Sequence, residues 1–351
     1  MNSLDGALSI TVFAQGAGVE QVKIDSPRKN VAPVFVGRTL AEANMLAKNL
    51  FSLCPAAQSL AVQAAGEAAR EEVVAPHELE LRHLRLLAER YVEMLRASVL
   101  DWPSEGAPDA DGIAALRETM RNIGALLVSG EGDLERVERA AERLGLRDFS
   151  SGDRVFARQW AEVVADQEHW ALGQISADFL RPSDDGAVAG AMTDPNFCLA
   201  PRLPGRSVET GACARRAGAD FINNLSGRLA TRFADMAATL DAIAALVKGG
   251  VANEDLPVAK GTGPGQGYAM VDSARGRLYH HVRLDDAGRI ADYSIVAPTE
   301  WNFHPEGPFV RLLRGARLGL GAAARRRVER LAFVFDPCIG VGVEIREKLH
   351  A

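Results

Sequence analysis

Apolar and polar residues alternate over positions 8–13 (Leu-Ser-Ile-Thr-Val-Phe) and again over 19–24 (Val-Glu-Gln-Val-Lys-Ile). A period of two marks a strand with one buried face. Gln15-Gly16-Ala17-Gly18 supplies turn residues between the two runs, so the pattern predicts a β-hairpin, ended by Pro27 and Pro33. The period then lengthens. Thr39-Leu40-Ala41-Glu42 has capping-box spacing and predicts a helix running to Leu50. Cys54-Pro55 predicts the start of a second helix, with Pro55 at its first position and Cys54 at its cap.

From 77 to 180 the pattern is helical. Leu81, Leu84, Leu87, Tyr91 and Leu95 follow the 3.6 period, as do Ile113, Leu116, Met120, Ile123 and Leu127. A charged helix is expected over Leu134–Leu144, and a longer one carries Phe156, Trp160, Val163 and Val164. His77, His83 and His169 fall among these charged helices and read as surface or hydrogen-bonded histidines. Residues 181–218 are rich in Gly, Pro, Ser and Asp and read as a long loop. A further helix from Asp220 to Val247 places Leu225, Leu229, Phe233, Met236 and Leu240 on one face.

Lys260 to Gly267 is glycine-rich but lacks the G-x-x-x-x-G-K-[ST] spacing and contains Pro264. It reads as a bend leading into strands rather than a phosphate loop. Leu278–Leu284 and Ile290–Val296 alternate around Asp285-Asp286-Ala287-Gly288, a second hairpin. Short helical segments from Pro308 lead to the apolar run Leu331–Phe335 and then to Asp336-Pro337-Cys338.

Composition narrows the function classes. The chain has 351 residues, 47% hydrophobic and 25% charged, with a net charge of −6. That is ordinary globular composition with an acidic balance, which argues against a nucleic-acid surface. Arg325-Arg326-Arg327 is the densest basic run and reads as a solvated helix face. No stretch of about 18 apolar residues exists and no leader pattern opens the chain, so neither a signal peptide nor a membrane span is expected. The four cysteines, 54, 198, 213 and 338, form no C-x-x-C pair, which suits free thiols in a reducing cytoplasm and excludes a structural zinc site built from close pairs.

Cys54 and Cys338 each adjoin a proline, where an extended or loop segment would feed a helix. The expectation is that the fold brings the two thiols together. At a helix N-terminus Cys54 reads either as a thiol whose ionised form is favoured by the dipole or as a small buried apolar residue. Cys198 and Cys213 read as ordinary free thiols.

Taken in chain order, several segments resemble the large subunit of nickel–iron hydrogenases. They are the N-terminal hairpin with Gly37-Arg38; Pro204-Gly205-Arg206 through Glu209, Gly211 and Ala214-Arg215; Ala274-Arg275-Gly276 with Leu278 and His280; Gly288-Arg289-Ile290 and Tyr293; Pro298-Thr299 with Trp301-Asn302; Gly307-Pro308; and Asp336-Pro337-Cys338. The departures carry as much information. That family binds its metals through R-x-C-G-x-C-x-x-x-H and D-P-C-x-x-C-x-x-H. Here the first motif reads Asn49 to Gln58 and retains only Cys54. In the second, Val341 and Glu344 replace a cysteine and the histidine. Asp5-Gly6-Ala7 stands where the family has Glu-Gly-His. This halved ligand set is similar to the HupK/HoxV group of hydrogenase accessory proteins.

The resemblance implies a mostly helical α+β fold, large-subunit-like, with long central helices and β-hairpins near both ends. It implies a single domain over 1–351, softly divided into an N-terminal hairpin (1–38), a helical body (39–250) and a C-terminal hairpin and cysteine segment (251–351). It further implies a non-catalytic cytoplasmic scaffold that holds an Fe(CN)2CO unit before delivery to a hydrogenase large-subunit precursor. On this reading Cys54 and Cys338 are the metal ligands, and Arg275, Pro298 and Thr299 surround the cyanide and carbonyl groups. No nickel is expected, since two thiolates do not replace four soft ligands. Chaperones of the HypC/HypD type are the implied partners. With Glu344 at the position where the family's precursors are cut after a histidine, no proteolytic maturation is expected. Two alternatives stand beside this one: a quinone-linked dehydrogenase subunit of the same fold, and a docking chaperone without cofactor.

Overall fold

A computed structural model describes residues 7–27, 29–104, 106–252 and 256–347. Asp5 and Gly6 lie outside the described residues. Strands β1 (Leu8–Gln15) and β2 (Gly18–Asp25) form the expected hairpin, and β1 alternates buried and accessible positions along its length. Helix α1 (Leu40–Leu50) begins at a complete capping box: the Thr39 hydroxyl accepts from Glu42 N at 3.2 Å, and the Glu42 carboxylate accepts from Thr39 N at 2.8 Å. Helix α2 (Pro55–Ala69) is alanine-rich. Its small side chains Ala64, Ala65 and Ala69 share a core with Ala269 and Val282 of the C-terminal sheet.

Helices α3 (Pro76–Leu100), α4 (Ala110–Ser129), α5 (Leu134–Leu144) and α6 (Val155–Asp166) make up the helical body. The periodicity places most of their apolar residues inward. Leu81 and Met120 are exceptions at 45% and 49% exposed. The helical pattern does not continue to 180. Beyond His169 the chain is mostly extended, with an isolated bridge from Ala171 to Arg317 and another from Phe179 to Glu209. His77 and His169 are exposed, but His83 is buried and its Nε2 has no hydrogen-bond partner among the described residues.

Residues 181–218 are more ordered than their composition suggests. They hold the short helices α7 (Asp185–Ala191), α8 (Pro195–Leu199) and α9 (Ala212–Arg216). Buried ion pairs tie this stretch down: Asp185 takes Arg277 and Tyr279, and Arg215 spans Asp235 and Asp272. Helix α10 (Leu225–Val247) starts later than Asp220 because the Asn224 side chain accepts from Gly227 N at 2.8 Å and caps it there. Leu225, Leu229, Phe233, Met236 and Leu240 all face inward and join Leu87, Tyr91 and Met94 of α3 in the largest core. Each such fully buried side chain is worth about 1.5–3 kcal/mol.

Strands β3 (Val258–Gly263), β4 (Gln266–Ser273), β5 (Gly276–Leu284) and β6 (Ile290–Val296) form one antiparallel sheet in sequence order. The glycine-rich stretch is therefore a hairpin turning at Pro264-Gly265. Helices α11 (Pro298–Asn302), α12 (Pro308–Leu313) and α13 (Gly321–Phe335) follow. Leu331–Phe335 is the last turn of α13, and what comes next is strand β7 (Val341–Glu347), not a helix. Strand β7 lies parallel to β1, with Leu8 opposite Val341, so the two ends of the described chain close on one sheet of order β2-β1-β7. The Arg325–Arg327 run is only partly a solvated face. Arg327 is 6% exposed and pairs with Asp166 while donating to Leu318 O. Among the described residues no helix is long and apolar enough to cross a membrane.

Candidate functional site

Five connections converge on one cavity of about 300 Å3, the β2–α1 link with Lys29 and Val31 being the first of them. The α1–α2 link brings Leu53 and Cys54. The β4–β5 turn brings Ser273 and Arg275. The entry to α11 brings Pro298 and Thr299, and the α13–β7 link brings Cys338. The five residues singled out from the sequence, Cys54, Arg275, Pro298, Thr299 and Cys338, all line this space.

Helix α13 is stopped at Asp336, which takes a left-handed φ of 48°. Aspartate tolerates this region better than most residues. Its carboxylate is held by the Arg232 guanidinium at 3.0 Å and lies 3.6 Å from Arg275 Nε. Burial opposes its charge, but Arg232 and Arg275 outweigh it and hold the carboxyl below the usual range. Two residues on, the Cys338 backbone N–H donates to Thr299 Oγ1 at 3.3 Å, and the Thr299 hydroxyl donates to Cys338 Sγ at 3.2 Å.

Arg275 is 3% exposed. It donates to Leu53 O and to Glu93, each at 3.3 Å, while its Nε has no hydrogen-bond acceptor among the described residues. The turn that carries it requires glycine. Gly276 has φ +120°, and a Cβ there would lie 2.3 Å from Thr210 Oγ1 and 2.5 Å from Gly211 N.

Cys54 sits at the α2 cap, but its side chain makes no capping bond. Glu89 of α3 does that work: its carboxylate accepts from Ala56 N at 2.6 Å and Ala57 N at 2.9 Å. Of the two readings of Cys54, the small buried residue is the one its surroundings favour. Burial pushes the Cys54 thiol up to about 12 against the pull of Arg275, and Cys338 and Glu89 add to the rise. Gln58, one turn along α2, points its Nε2 at Cys54 Sγ from 3.8 Å. Its amide oxygen accepts from His280 Nε2 at 2.8 Å, and His280 Nδ1 accepts from the Tyr293 hydroxyl at 2.6 Å. That pattern assigns the neutral imidazole with its proton on Nε2, consistent with burial pushing His280 down to about 3.

Sequence reasoning missed Glu89, Glu93 and Gln58 as parts of the site. Gln58 lies four residues after Cys54, a spacing that puts both on one helix face, and so do Glu89 and Glu93 on α3. Nothing local signals that the α3 pair faces Arg275. Among the described residues no group of three or more His, Cys, Asp or Glu is placed to hold a metal ion. The donor set here is two sulfurs, Cys54 and Cys338. It does not fit a resident nickel–iron centre that needs four thiolates. Cys198 and Cys213 stand apart from the cavity. Cys198 is packed in a separate core and donates to Met192 O at 3.4 Å, and Cys213 lies against Arg228.

The fold is that of hydrogenase large subunits. A [NiFeSe] hydrogenase from Desulfovibrio vulgaris Hildenborough superposes with a TM-score of 0.64 at 16% identity, over 93% of this chain and 95% of that one. The nickel-dependent hydrogenase family model matches residues 192–344. Full-length similarity is closer elsewhere. The hydrogenase expression/formation protein HupK of Rhizobium leguminosarum bv. viciae is 36% identical over 98% of this chain and 97% of its own length. HupK of Bradyrhizobium diazoefficiens is 33% identical over 99% of both. HoxV of Cupriavidus necator is 29% identical over 89% of this chain and 90% of its own. A large-subunit fold, with 36% and 33% identity to two HupK proteins over nearly the full length of each chain, places the chain in the HupK/HoxV family of hydrogenase expression/formation proteins.

Proposed function

We propose that this chain is a non-catalytic maturation factor whose cavity receives an Fe(CN)2CO unit as cargo and passes it to a hydrogenase large-subunit precursor. The observation that carries the reading is the convergence of Cys54, Cys338, Arg275, Pro298 and Thr299 on one cavity. An iron that arrives with three small carbon ligands needs few protein donors, and two soft sulfurs suit it. Cyanide nitrogen is an anionic acceptor, which matches the buried guanidinium of Arg275 in the cavity wall. The Thr299 hydroxyl, already against Cys338, offers a second donor.

As a ligand to the iron Cys54 would bind as the thiolate, so loading should release a proton. The names of the relatives support a role in hydrogenase formation. Chaperones of the HypC/HypD type as donors and the large-subunit precursor as acceptor complete the reading. Leu50, which lines the cavity and is 42% exposed, gives its mouth an apolar edge for such a partner.

The test is the infrared spectrum of protein purified anaerobically from a host with its maturation machinery. Cyanide and carbonyl stretches are expected, and both disappear in Cys54→Ala and in Cys338→Ala. A spectrum without them from folded wild-type protein overturns the cargo reading in favour of docking without cofactor. Undiminished hydrogenase activity in a host carrying both substitutions does the same.

A further inference from the structure

A second cavity, of about 560 Å3, is formed by the Pro201–Val208 segment and by residues between Trp301 and Arg314. Its charge contrasts with the acidic chain around it. Arg202, Arg206, Arg311 and Arg314 line it against a single carboxylate, Glu306. Arg206 is committed to Asp178, Asp184 and Phe179 O, so it stiffens the wall rather than offering free donors. Arg311 and Arg314 are exposed, and neither side chain has a hydrogen-bond or ion-pair partner among the described residues. Arg202 pairs with Glu306 at 2.7 Å, but both are more than half exposed, and such a pair is weak.

The floor of the cavity carries a donor conflict. His304 is 7% exposed. Its Nδ1 faces the Glu306 backbone N–H at 3.0 Å, and its Nε2 faces Arg202 Nε–H at 3.2 Å. A neutral imidazole has one acceptor nitrogen, and arginine stays protonated. One of these two contacts therefore sets a donor against a donor. An anionic oxygen beside Arg202 and His304 relieves that conflict and also engages the two unpaired arginines.

We propose that this cavity binds a small phosphorylated anion, held by Arg202, Arg311 and Arg314 with His304 beneath. Guanidinium forks match phosphate oxygens two at a time, and the volume lies in the range of small-molecule sites. The concave shape and its confinement to one cavity favour a small ligand over an extended acidic chain. The site is separate from the cysteine cavity, and its test does not depend on iron.

Calorimetric titration of the full chain with inorganic pyrophosphate provides the measurement. Saturable binding is expected, weakening at least tenfold in the Arg311→Gln/Arg314→Gln double variant. Both side chains are exposed, so that variant should keep its thermal transition. Glu306→Gln should tighten binding severalfold by removing the competing carboxylate. Absence of binding at millimolar pyrophosphate overturns the proposal, as does equal affinity in wild type and the double variant. Citrate binding as tightly as pyrophosphate overturns the assignment to phosphate, and so does a glutamate-rich peptide that binds there and resists displacement by pyrophosphate.

Discussion

Cys198 and Cys213 are as deeply buried as Cys54, at 5% and 2% against 9%, yet of the four thiols only Cys54 and Cys338 face a common space. Around Cys213 every strong group is spent. Arg228 is locked on Glu209 by two bonds of 2.7 and 2.8 Å, and the sulfur lies 3.8 Å from the same guanidinium. Around Cys54 and Cys338 the polar groups are tied to Asp336, Glu93 and His280, yet Arg275 and Gln58 still line an open space. Burial alone does not make a site. Convergence on a common space does.

The contrast can be broken most forcefully from the Cys213 side. Arg228→Met leaves the Glu209 carboxylate buried and unpaired, and should cost on the order of 3–5 kcal/mol of stability in urea denaturation. A loss under about 1 kcal/mol would mean that the pair does not organise that core. On the Cys54 side the expected effect is smaller and depends on pH. Burial pushes Glu89 up to about 7 from an ordinary 4.5, despite its two backbone donors. Between those values the folded state holds more protons than the unfolded state, so stability should fall as pH rises from about 4.5 to about 7. The loss is on the order of 2 kcal/mol. Glu89→Gln should flatten this slope, and an unchanged pH profile of the urea midpoint would remove Glu89 from the account. The smallest effect belongs to Thr299→Val, which keeps the shape and deletes both contacts to Cys338. It should cost about 1 kcal/mol. A neutral result would mean that the hydroxyl does not support the fold.

What the sequence made legible follows the range of the interactions. The hairpins at 8–25 and 276–296 and the Thr39 box rest on neighbours in the chain, and they appear where the pattern puts them. The site positions were legible because short motifs fix residue order, and the fold then gathers them. What stayed hidden is long-range. The Arg275–Glu93 contact joins residues 182 positions apart, and no local pattern announces it. Residues 181–218 looked like loop because their helices are short and rest on ion pairs made elsewhere. The buried reading of Cys54 was open from the sequence, but the α3 carboxylate that caps the helix in its place was not.

The parallel pairing of β7 with β1 has a consequence in time. Cys338 follows Cys54 by most of the described chain, and it sits between its two contacts to Thr299 and the strand β7 that pairs with β1. At roughly 5–20 residues per second, synthesis separates the two sulfurs by some tens of seconds. Throughout that interval the chain lacks the second of the two sulfurs that line the cavity. Cys338 is therefore made after every other residue lining the cavity except Ile339.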